Sequence, residues 1–391
     1  MRPEPHEDMG TTFHLLTDGA RLRLDEGACL PLRSDFGGCR ACATSCPAKV
    51  LDVSVDRAAL ADGCLHCGRC VAACPTEALQ LDGFDVDELP AGPQPIEVEC
   101  AKVPANLRTA QSIAVPCLGG LSAGRIAALH EAAGGRGISL VDRGWCGRCS
   151  AGGGSAHPAG AALDRVVLWL DAVHDPRPTP RLLSRPLPAE QMPAEIPAPP
   201  EPVDPGPALS RRQFFRTLAS DPVGRTRRAA PMGGNGRAAF PTNQRRESPE
   251  RRRLLDALDA AAGRGATTLP SEFFPRLSVI GVCADHRVCT AACPTGALKV
   301  VATEGAASLT FASTACIGCG ACARSCPEGA LAVETHGGER APMVLVHHTQ
   351  QVCSTCGDVF TPRAGEALCP ACSKTQRFIG DAMSQLFGAR H

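Results

Sequence analysis

The sequence is poor in aromatic residues and has no excess of either charge. Phe, Trp and Tyr make up 4% of its 391 residues, and Tyr is absent. The chain has 40 basic and 40 acidic residues, so its charge gives no reason to expect nucleic acid or an anionic membrane as a partner. Glycine (40) and proline (34) are frequent, which favours several small, loop-rich domains over one large core.

Long apolar runs and a secretory pattern are also missing. No run reaches the roughly 18 apolar residues of a spanning helix, and the opening MRPEPHEDMGTTFHLL has no apolar segment. We therefore expect a cytoplasmic chain without a membrane span. There is no phosphate-binding loop, flavin fingerprint or catalytic triad, so we predict no catalysis by the chain itself.

What the chain does have is 23 cysteines, and their spacing is that of metal sites. Without a signal peptide, tight C-x2-C and C-x3-C-P groups indicate metal ligands in a reducing compartment and argue against disulfides. A Cys-Pro pair followed by a short apolar strand occurs four times, at Cys46, Cys74, Cys293 and Cys326. The four Cys-Pro elements form two pairs along the chain. This predicts two modules, each built from two copies of one half-module.

Two runs match C-x2-C-x2-C-x3-C-P in full. They are Cys64, Cys67, Cys70, Cys74 and Cys316, Cys319, Cys322, Cys326. In bacterial 4Fe-4S ferredoxins three cysteines of such a run hold one cluster and the fourth ligates the other. The chain thus resembles 2(4Fe-4S) ferredoxins twice, which implies electron transfer. The first ferredoxin module is predicted at residues 1–94 and the second at residues 271–336.

Each module also has one imperfect run. Phe36 stands where the first cysteine of one run belongs, and Cys29 can replace it through a longer loop. The alternative is that Cys29 is a spare buried thiol and the cluster has three irons or is absent. His286 stands at the second cysteine position of the other run. It ligates iron, as imidazole does in Rieske centres, or the site is a 3Fe-4S cluster or empty.

The crossing rule of these ferredoxins predicts four ligand sets, named here sets one to four. Set one is Cys29, Cys39, Cys42 and Cys74, and set two is Cys46, Cys64, Cys67 and Cys70. Set three is Cys283, His286, Cys289 and Cys326, and set four is Cys293, Cys316, Cys319 and Cys322. His66, inside the second run of the first module, is expected to face solvent.

Residues 95–174 read as a small α/β domain with its own cysteines, the middle set. They are Cys100, Cys117, Cys146 and Cys149. Strands at 112–115 and 138–141 flank a helix at 122–133 capped by Ser122, and another helix is predicted at 161–173. A parallel strand–helix–strand unit brings its strand ends to one edge, so the four thiols should converge there.

The early cysteine, the Val115-Pro116-Cys117 sequence and the Cys146-x2-Cys149 pair resemble the delta subunit of methyl-viologen-reducing hydrogenase, which is a 2Fe-2S protein. This chain departs from it by having one early cysteine where that protein has a close pair. The resemblance implies a 2Fe-2S cluster. Zinc, a 4Fe-4S cluster or no metal remain alternatives.

Residues 175–270 are rich in Pro, Arg and Gly, and predict an extended, disordered linker with two short helices near 211–219 and 249–262. An arginine-rich stretch from Ser210 through Ala219 resembles a twin-arginine motif without its apolar run, so we predict partner docking there and no export. The tail, residues 337–391, carries the tail set, Cys353, Cys356, Cys369 and Cys372. This pattern predicts a zinc ribbon, with rubredoxin-type iron as the alternative.

Together these patterns predict an α+β multidomain chain in which every cysteine is a ligand. We expect a polyferredoxin-type electron relay, or an electron-transfer subunit of a cytoplasmic oxidoreductase complex, with redox proteins as donor and acceptor. The alternative is an accessory or maturation factor for a cytoplasmically assembled redox enzyme.

Overall fold

The computed structural model describes residues 13–15, 22–33, 38–55, 57–84, 89–152, 154, 156–191, 245–265, 269, 271–362 and 366–388. No helix within these ranges is both long and apolar enough to cross a bilayer. Helices and strands are mixed along the described chain, as an α+β protein requires.

The first module consists of two antiparallel sheets and three short helices. The strands are β1 (Phe13–Leu15), β2 (Leu22–Asp25), β3 (Leu51–Val53), β4 (Ala58–Leu60) and β5 (Leu79–Leu81), and the helices are α1 (Leu30–Arg33), α2 (Ala41–Ser45) and α3 (Arg69–Ala73). β2 lies between β1 and β5, and β3 pairs with β4. α2 and α3 end at the two Cys-Pro corners, and the strands predicted after those corners are confirmed as β3 and β5.

The middle domain is a four-stranded parallel sheet with the order β7-β6-β8-β9. Its elements are β6 (Ile96–Cys100), β7 (Ile113–Val115), α4 (Ala123–Ala133), β8 (Ile138–Asp142), α5 (Gly160–Ala172) and β9 (Arg181–Ser184). The Ser122 hydroxyl accepts the Arg125 N–H at 3.2 Å, so the predicted N-cap is confirmed. The carboxyl ends of β6, β7 and β8 share one edge, which confirms the predicted strand–helix–strand arrangement.

The predicted linker is wrong at both ends. β9 belongs to the middle sheet because its main chain pairs with β8 in parallel register. α6 (Pro249–Gly265) is longer than the predicted helix, and it is packed rather than isolated. Its apolar residues recur at helical spacing and are buried in the core shared with α4: Leu254, Ala257, Leu258 and Ala261. Residues 192–244, including the predicted docking stretch 210–219, lie outside the described residues.

The second module repeats the plan of the first. Its elements are β10 (Pro275–Val279), α7 (Val288–Ala292), β11 (Leu298–Thr303), β12 (Ala306–Phe311), α8 (Ala321–Ser325), β13 (Leu331–Gly337) and β14 (Met343–Thr349). β10 pairs with β13, and β12 lies between β11 and β14. The predicted boundary at residue 336 is therefore wrong, because β14 completes the sheet of the second module by pairing with β12.

The tail has one hairpin and one helix. They are β15 (Gln351–Val352), β16 (Val359–Phe360) and α9 (Pro370–Phe387). The second cysteine pair lies at a helix start and not in a second hairpin, because the Cys369 sulfur accepts the Cys372 N–H at 3.5 Å and Pro370 is the first helical residue. The Thr361 hydroxyl donates to Asp285 at 2.7 Å, which joins the tail to the set-three loop.

Residues 245–265, here named the brace, contact both earlier domains. The Ser248 hydroxyl donates to the Pro75 carbonyl at 2.7 Å in the first module. The half-buried Glu250 carboxylate accepts the Ser122 hydroxyl at 2.6 Å and the Gly124 N–H at 2.7 Å at the start of α4. The brace therefore caps a helix of the middle domain while it is fastened to a Cys-Pro corner.

The brace also contacts the second module. The Arg246 N–H donates to the Pro294 carbonyl at 3.0 Å, and Arg251 Nε donates to the Thr314 carbonyl at 3.2 Å. The Arg251 guanidinium lies 5.6 Å from the centre of the buried Phe274 ring. One short segment thus links the three domains that carry the cysteine sets.

Candidate metal centres

Set one is assembled from three separate pieces of the first module. Cys29 precedes α1, Cys39 and Cys42 flank the start of α2, and Cys74 ends α3. Burial, with smaller contributions from the charges of Cys74, Cys42 and Cys39, raises the pKa of the Cys29 thiol to about 12. Cys29 is therefore influenced by all three other members of set one and remains the candidate for the missing first cysteine of the run.

Set two lines a cavity whose remaining wall is mostly apolar. Its four cysteines share this wall with Leu22, Leu51, Leu60 and Leu81. Burial raises the Cys70 pKa, with further contributions from Cys67, Cys46 and Cys64 of its own set and from Cys42 of set one. His66 is exposed, as predicted.

The loop of set two depends on one glycine. Gly68 has φ +72°, and a Cβ there would lie 2.3 Å from the Phe84 ring. Gly320 holds the same left-handed conformation (φ +70°) before α8 in the second module. In the imperfect run of the second module, Arg287 adopts φ +59° before α7. This left-handed backbone conformation is strained for any residue other than glycine. All three loops therefore keep one shape, including the loop in which His286 replaces a cysteine.

The thiols of set four influence one another as those of set one do. Burial, with smaller contributions from the charges of Cys293 and Cys319, raises the Cys316 pKa to about 11. Burial likewise raises the Cys322 pKa to about 12, again with a contribution from the other three sulfurs. Cys293 belongs to the other run of the module, and its place in set four stays the prediction of the crossing rule.

Set three lines a second cavity together with a histidine. The wall includes Cys283, His286, Cys289 and Cys326. Burial raises the Cys289 pKa to about 11, followed by the charges of Cys283 and Cys326. His286 Nε2 lies 3.0 Å from Glu328 Oε1. If this nitrogen donates to the carboxylate, the neutral imidazole has Nδ1 as its unprotonated ligand atom.

The middle set lies at the predicted sheet edge. Burial, with smaller contributions from the charges of Cys100, Cys67 and Cys149, raises the Cys117 pKa to about 12. Burial also raises the Cys146 pKa, with further contributions from Asp142, Cys117 and Cys100. Cys117 packs in one apolar cluster with Cys149, and Cys100 packs in another with Cys146.

Two further residues at this edge were missed from the sequence. A ring nitrogen of His157, a carboxylate oxygen of Asp142 and the Cys146 sulfur all lie within 4.8 Å of one another. His157 Nδ1 accepts the Ala159 N–H at 3.2 Å, and its buried Nε2 has no partner in the described part of the chain. Asp142 ends β8 and was recognisable from its position, whereas no spacing rule points to His157.

A buried ion pair supports the same edge. Arg143 donates from Nε and Nη2 to the Glu99 carboxylate at 2.8 and 2.9 Å, and Glu99 is fully buried. Burial raises the pKa of Glu99, but hydrogen bonds from Arg143 and Thr109 outweigh this and leave it below its usual value. Because Glu99 precedes Cys100 and Arg143 lies three residues before Cys146, this pair holds two ends of the middle set together.

The tail set has the dimensions of a site for one ion. All four sulfurs lie within 4.8 Å of one another, and the sulfurs of Cys356 and Cys369 are 3.7 Å apart. A tetrahedron with Zn–S bonds of about 2.3 Å has edges of about 3.8 Å. None of the other cysteine sets is this compact in the described ranges, which fits groups that wrap a multi-atom cluster.

Comparisons with known families find two matches. The model of the 4Fe-4S dicluster domain family matches residues 37–79, and that of a 4Fe-4S binding domain family matches residues 309–331. No curated protein matches the chain. The first match spans the two runs of the first module, the second spans the complete run of the second module, and neither reaches the middle domain or the tail. The chain is therefore a ferredoxin-like iron–sulfur protein with 4Fe-4S binding domains in both modules.

Proposed function

We propose that the protein is a multi-centre electron relay, either free or as the electron-transfer subunit of a redox enzyme complex. The observation that carries this proposal is that the members of set two and of set three line one cavity each, and that each set combines residues from the two runs of its module, as in two-cluster ferredoxins. A 4Fe-4S cluster, when bound, accepts and returns single electrons. The chain supplies the thiolate ligands and an apolar wall that keeps water from them.

For set three we propose that His286 is the fourth ligand, through Nδ1. Support comes from its place in the cavity wall and from Glu328, which is positioned to accept the other ring proton. Metal-ligating histidines usually donate their second nitrogen in this way. The strained conformation of Arg287 beside it keeps the loop in the shape of a cluster-binding loop.

We further propose a 2Fe-2S cluster for the middle set and zinc for the tail set. Four thiols at one sheet edge, spread more widely than the ligands of a single ion, support the cluster. The 3.7 Å sulfur separation supports zinc in a closed, structural site.

Metal analysis of anaerobically purified protein tests the proposal. We expect more than about twelve irons, matching sulfide and about one zinc per chain, with EPR signals on reduction. The variants Cys67→Ala and Cys319→Ala should each lose part of the visible absorption, whereas the matched change of exposed His66→Ala should not. About four irons or fewer, or unaltered absorption in both cysteine variants, would refute the proposal.

A further inference from the structure

The loops of set one and set four touch across the boundary between the two modules. A Cβ on Gly38, which precedes Cys39 of set one, would lie 3.4 Å from Nε of Arg324. Arg324 in turn donates from Nη2 to the carbonyl of Cys319, a set-four residue, at 2.9 Å. This arginine thus lies between one ligand loop and the other.

A second contact fastens the Cys-Pro corner of set four. Arg33, which ends the helix that follows Cys29, donates to the Pro294 carbonyl at 3.5 Å. The N–H of Arg246 donates to the same carbonyl at 3.0 Å, and its guanidinium pairs with Asp25 at 2.5 Å. Asp25 is almost fully buried, so the brace is fixed to the first module at the point where it holds the second.

The middle set makes a comparable contact with set two. Cys67 and Cys117 are buried in one small apolar cluster with Ala151. Arg69, next to Cys70, donates to the carbonyls of Ala151 at 3.2 Å and Gly152 at 2.9 Å. The ligand loops of the two domains therefore meet directly.

From these contacts we infer that the chain holds its redox centres in one fixed series: middle set, set two, set one, set four, set three. The inference rests on the proposed function and extends it, because two independent modules on a tether would also be a relay. Each exchange between neighbours moves one electron and no atoms: one centre is oxidised and the next is reduced. The middle set and set three are then the ends at which redox partner proteins meet the chain.

The series assigns positioning roles to Arg33, Arg246 and Arg324. None of them is a ligand. Arg33 and Arg246 each bind a carbonyl of the second module, and Arg246 also pairs with a carboxylate of the first, whereas Arg324 holds a carbonyl of its own module and packs beside Gly38 of the first. Cys29 is followed directly by α1, which ends at Arg33. Arg33 donates a hydrogen bond to the carbonyl of Pro294, the residue after Cys293, so one hydrogen bond separates the chain segment of set one from that of set four. Sets one and four therefore lie nearest to each other of all pairs between the two modules, and sets two and three lie farther apart.

Two chains that each keep one cluster per module test this order. The inner-pair chain keeps sets one and four and carries Cys64→Ala, Cys67→Ala, Cys283→Ala and Cys289→Ala. The outer-pair chain keeps sets two and three and carries Cys39→Ala, Cys42→Ala, Cys319→Ala and Cys322→Ala. After reduction, we expect the EPR spectrum of the inner-pair chain to show splitting and fast relaxation from two coupled spins. The outer-pair chain should show two independent signals.

Two isolated signals from an inner-pair chain that retains both clusters would overturn the series while leaving the relay proposal intact. A chain without clusters would instead count against the relay proposal. Should the multiple substitutions prevent folding, Arg324→Ala in the full chain gives a second test. It should weaken the coupling between modules at unchanged iron content, whereas Arg57→Ala, an exposed arginine within the first module, should not. Unaltered coupling in Arg324→Ala would overturn the role of this residue.

Discussion

The contact between α4 and the brace is predicted to depend on the absence of a side chain at Gly124. A Cβ there would lie 2.7 Å from Oε2 of Glu250 and 2.8 Å from its backbone carbonyl oxygen. The carboxylate can rotate away, but the backbone atom moves only if the whole brace helix moves. The variant Gly124→Ala should therefore push the brace from α4 and break the hydrogen bonds that Glu250 accepts.

The size of the effect follows from three contributions. Overpacking costs about 1–3 kcal/mol, and loss of hydrogen bonds to the charged Glu250 costs about 1.5–3 kcal/mol. The higher helix propensity of alanine offsets about 1 kcal/mol. We expect Gly124→Ala to lower the free energy of unfolding by about 1.5–5 kcal/mol in total.

The control is Gly263→Ala in the brace itself. No atom lies within 4 Å of a Cβ on Gly263, so this change should stabilise the chain by about 0.5–1 kcal/mol through helix propensity alone. Urea unfolding followed by Trp fluorescence measures both variants, because Trp169 contacts Phe273 with ring centres 5.7 Å apart. Equal stability changes in the two variants would refute the close packing of α4 against the brace.

Three further predictions concern the metal-binding sets. Glu99→Ala leaves the Arg143 charge buried and unpaired, so the free energy of unfolding should fall by about 3–5 kcal/mol in urea titrations, and a change below about 1 kcal/mol would contradict the role of the pair. His286→Cys should lower the reduction potential of one centre in an EPR redox titration, because imidazole ligands raise potentials relative to thiolates; an unshifted potential would argue against ligation. The pKa values of Cys29 (about 12) and Cys316 (about 11) keep these thiols protonated in the apo chain at neutral pH. Cluster assembly must release those protons, so the visible absorption recovered on reconstitution should rise with pH, and recovery independent of pH would contradict this.

The cysteine sets were predictable because ligand spacing is a local property of the sequence. The crossing rule predicted sets two and three, whose members line one cavity each, and it offered Cys29 for the place of the missing cysteine at Phe36, which stays a prediction. The middle set followed from strand and helix patterns alone. A parallel unit brings its strand ends to one edge whatever the detailed packing.

The brace and the buried pair at Glu99 could not be predicted in this way. The arginine-rich sequence around Leu258 has the composition of a linker. Its apolar stripe can be recognised as a packing surface only when its partner helix, α4, is known. β14 lies beyond the Cys326 corner, whereas its partner β12 lies before it. The sequence around β14 alone does not indicate this pairing. His157 joins the middle site through the path of the chain after Cys149, which no spacing rule describes.

The place of the brace in the chain has a consequence for synthesis on the ribosome. Its buried residues, among them Leu258, join a core whose members before the brace end at Val173, about 75 residues before α6 begins, and whose last members, Phe273 and Phe274, follow the brace. At translation rates of about 5–20 residues per second, the apolar side of α4 stays uncovered for roughly 4–15 s after its own domain has emerged. The nascent chain is therefore expected to need a chaperone, or early metal insertion into the first module, during that interval.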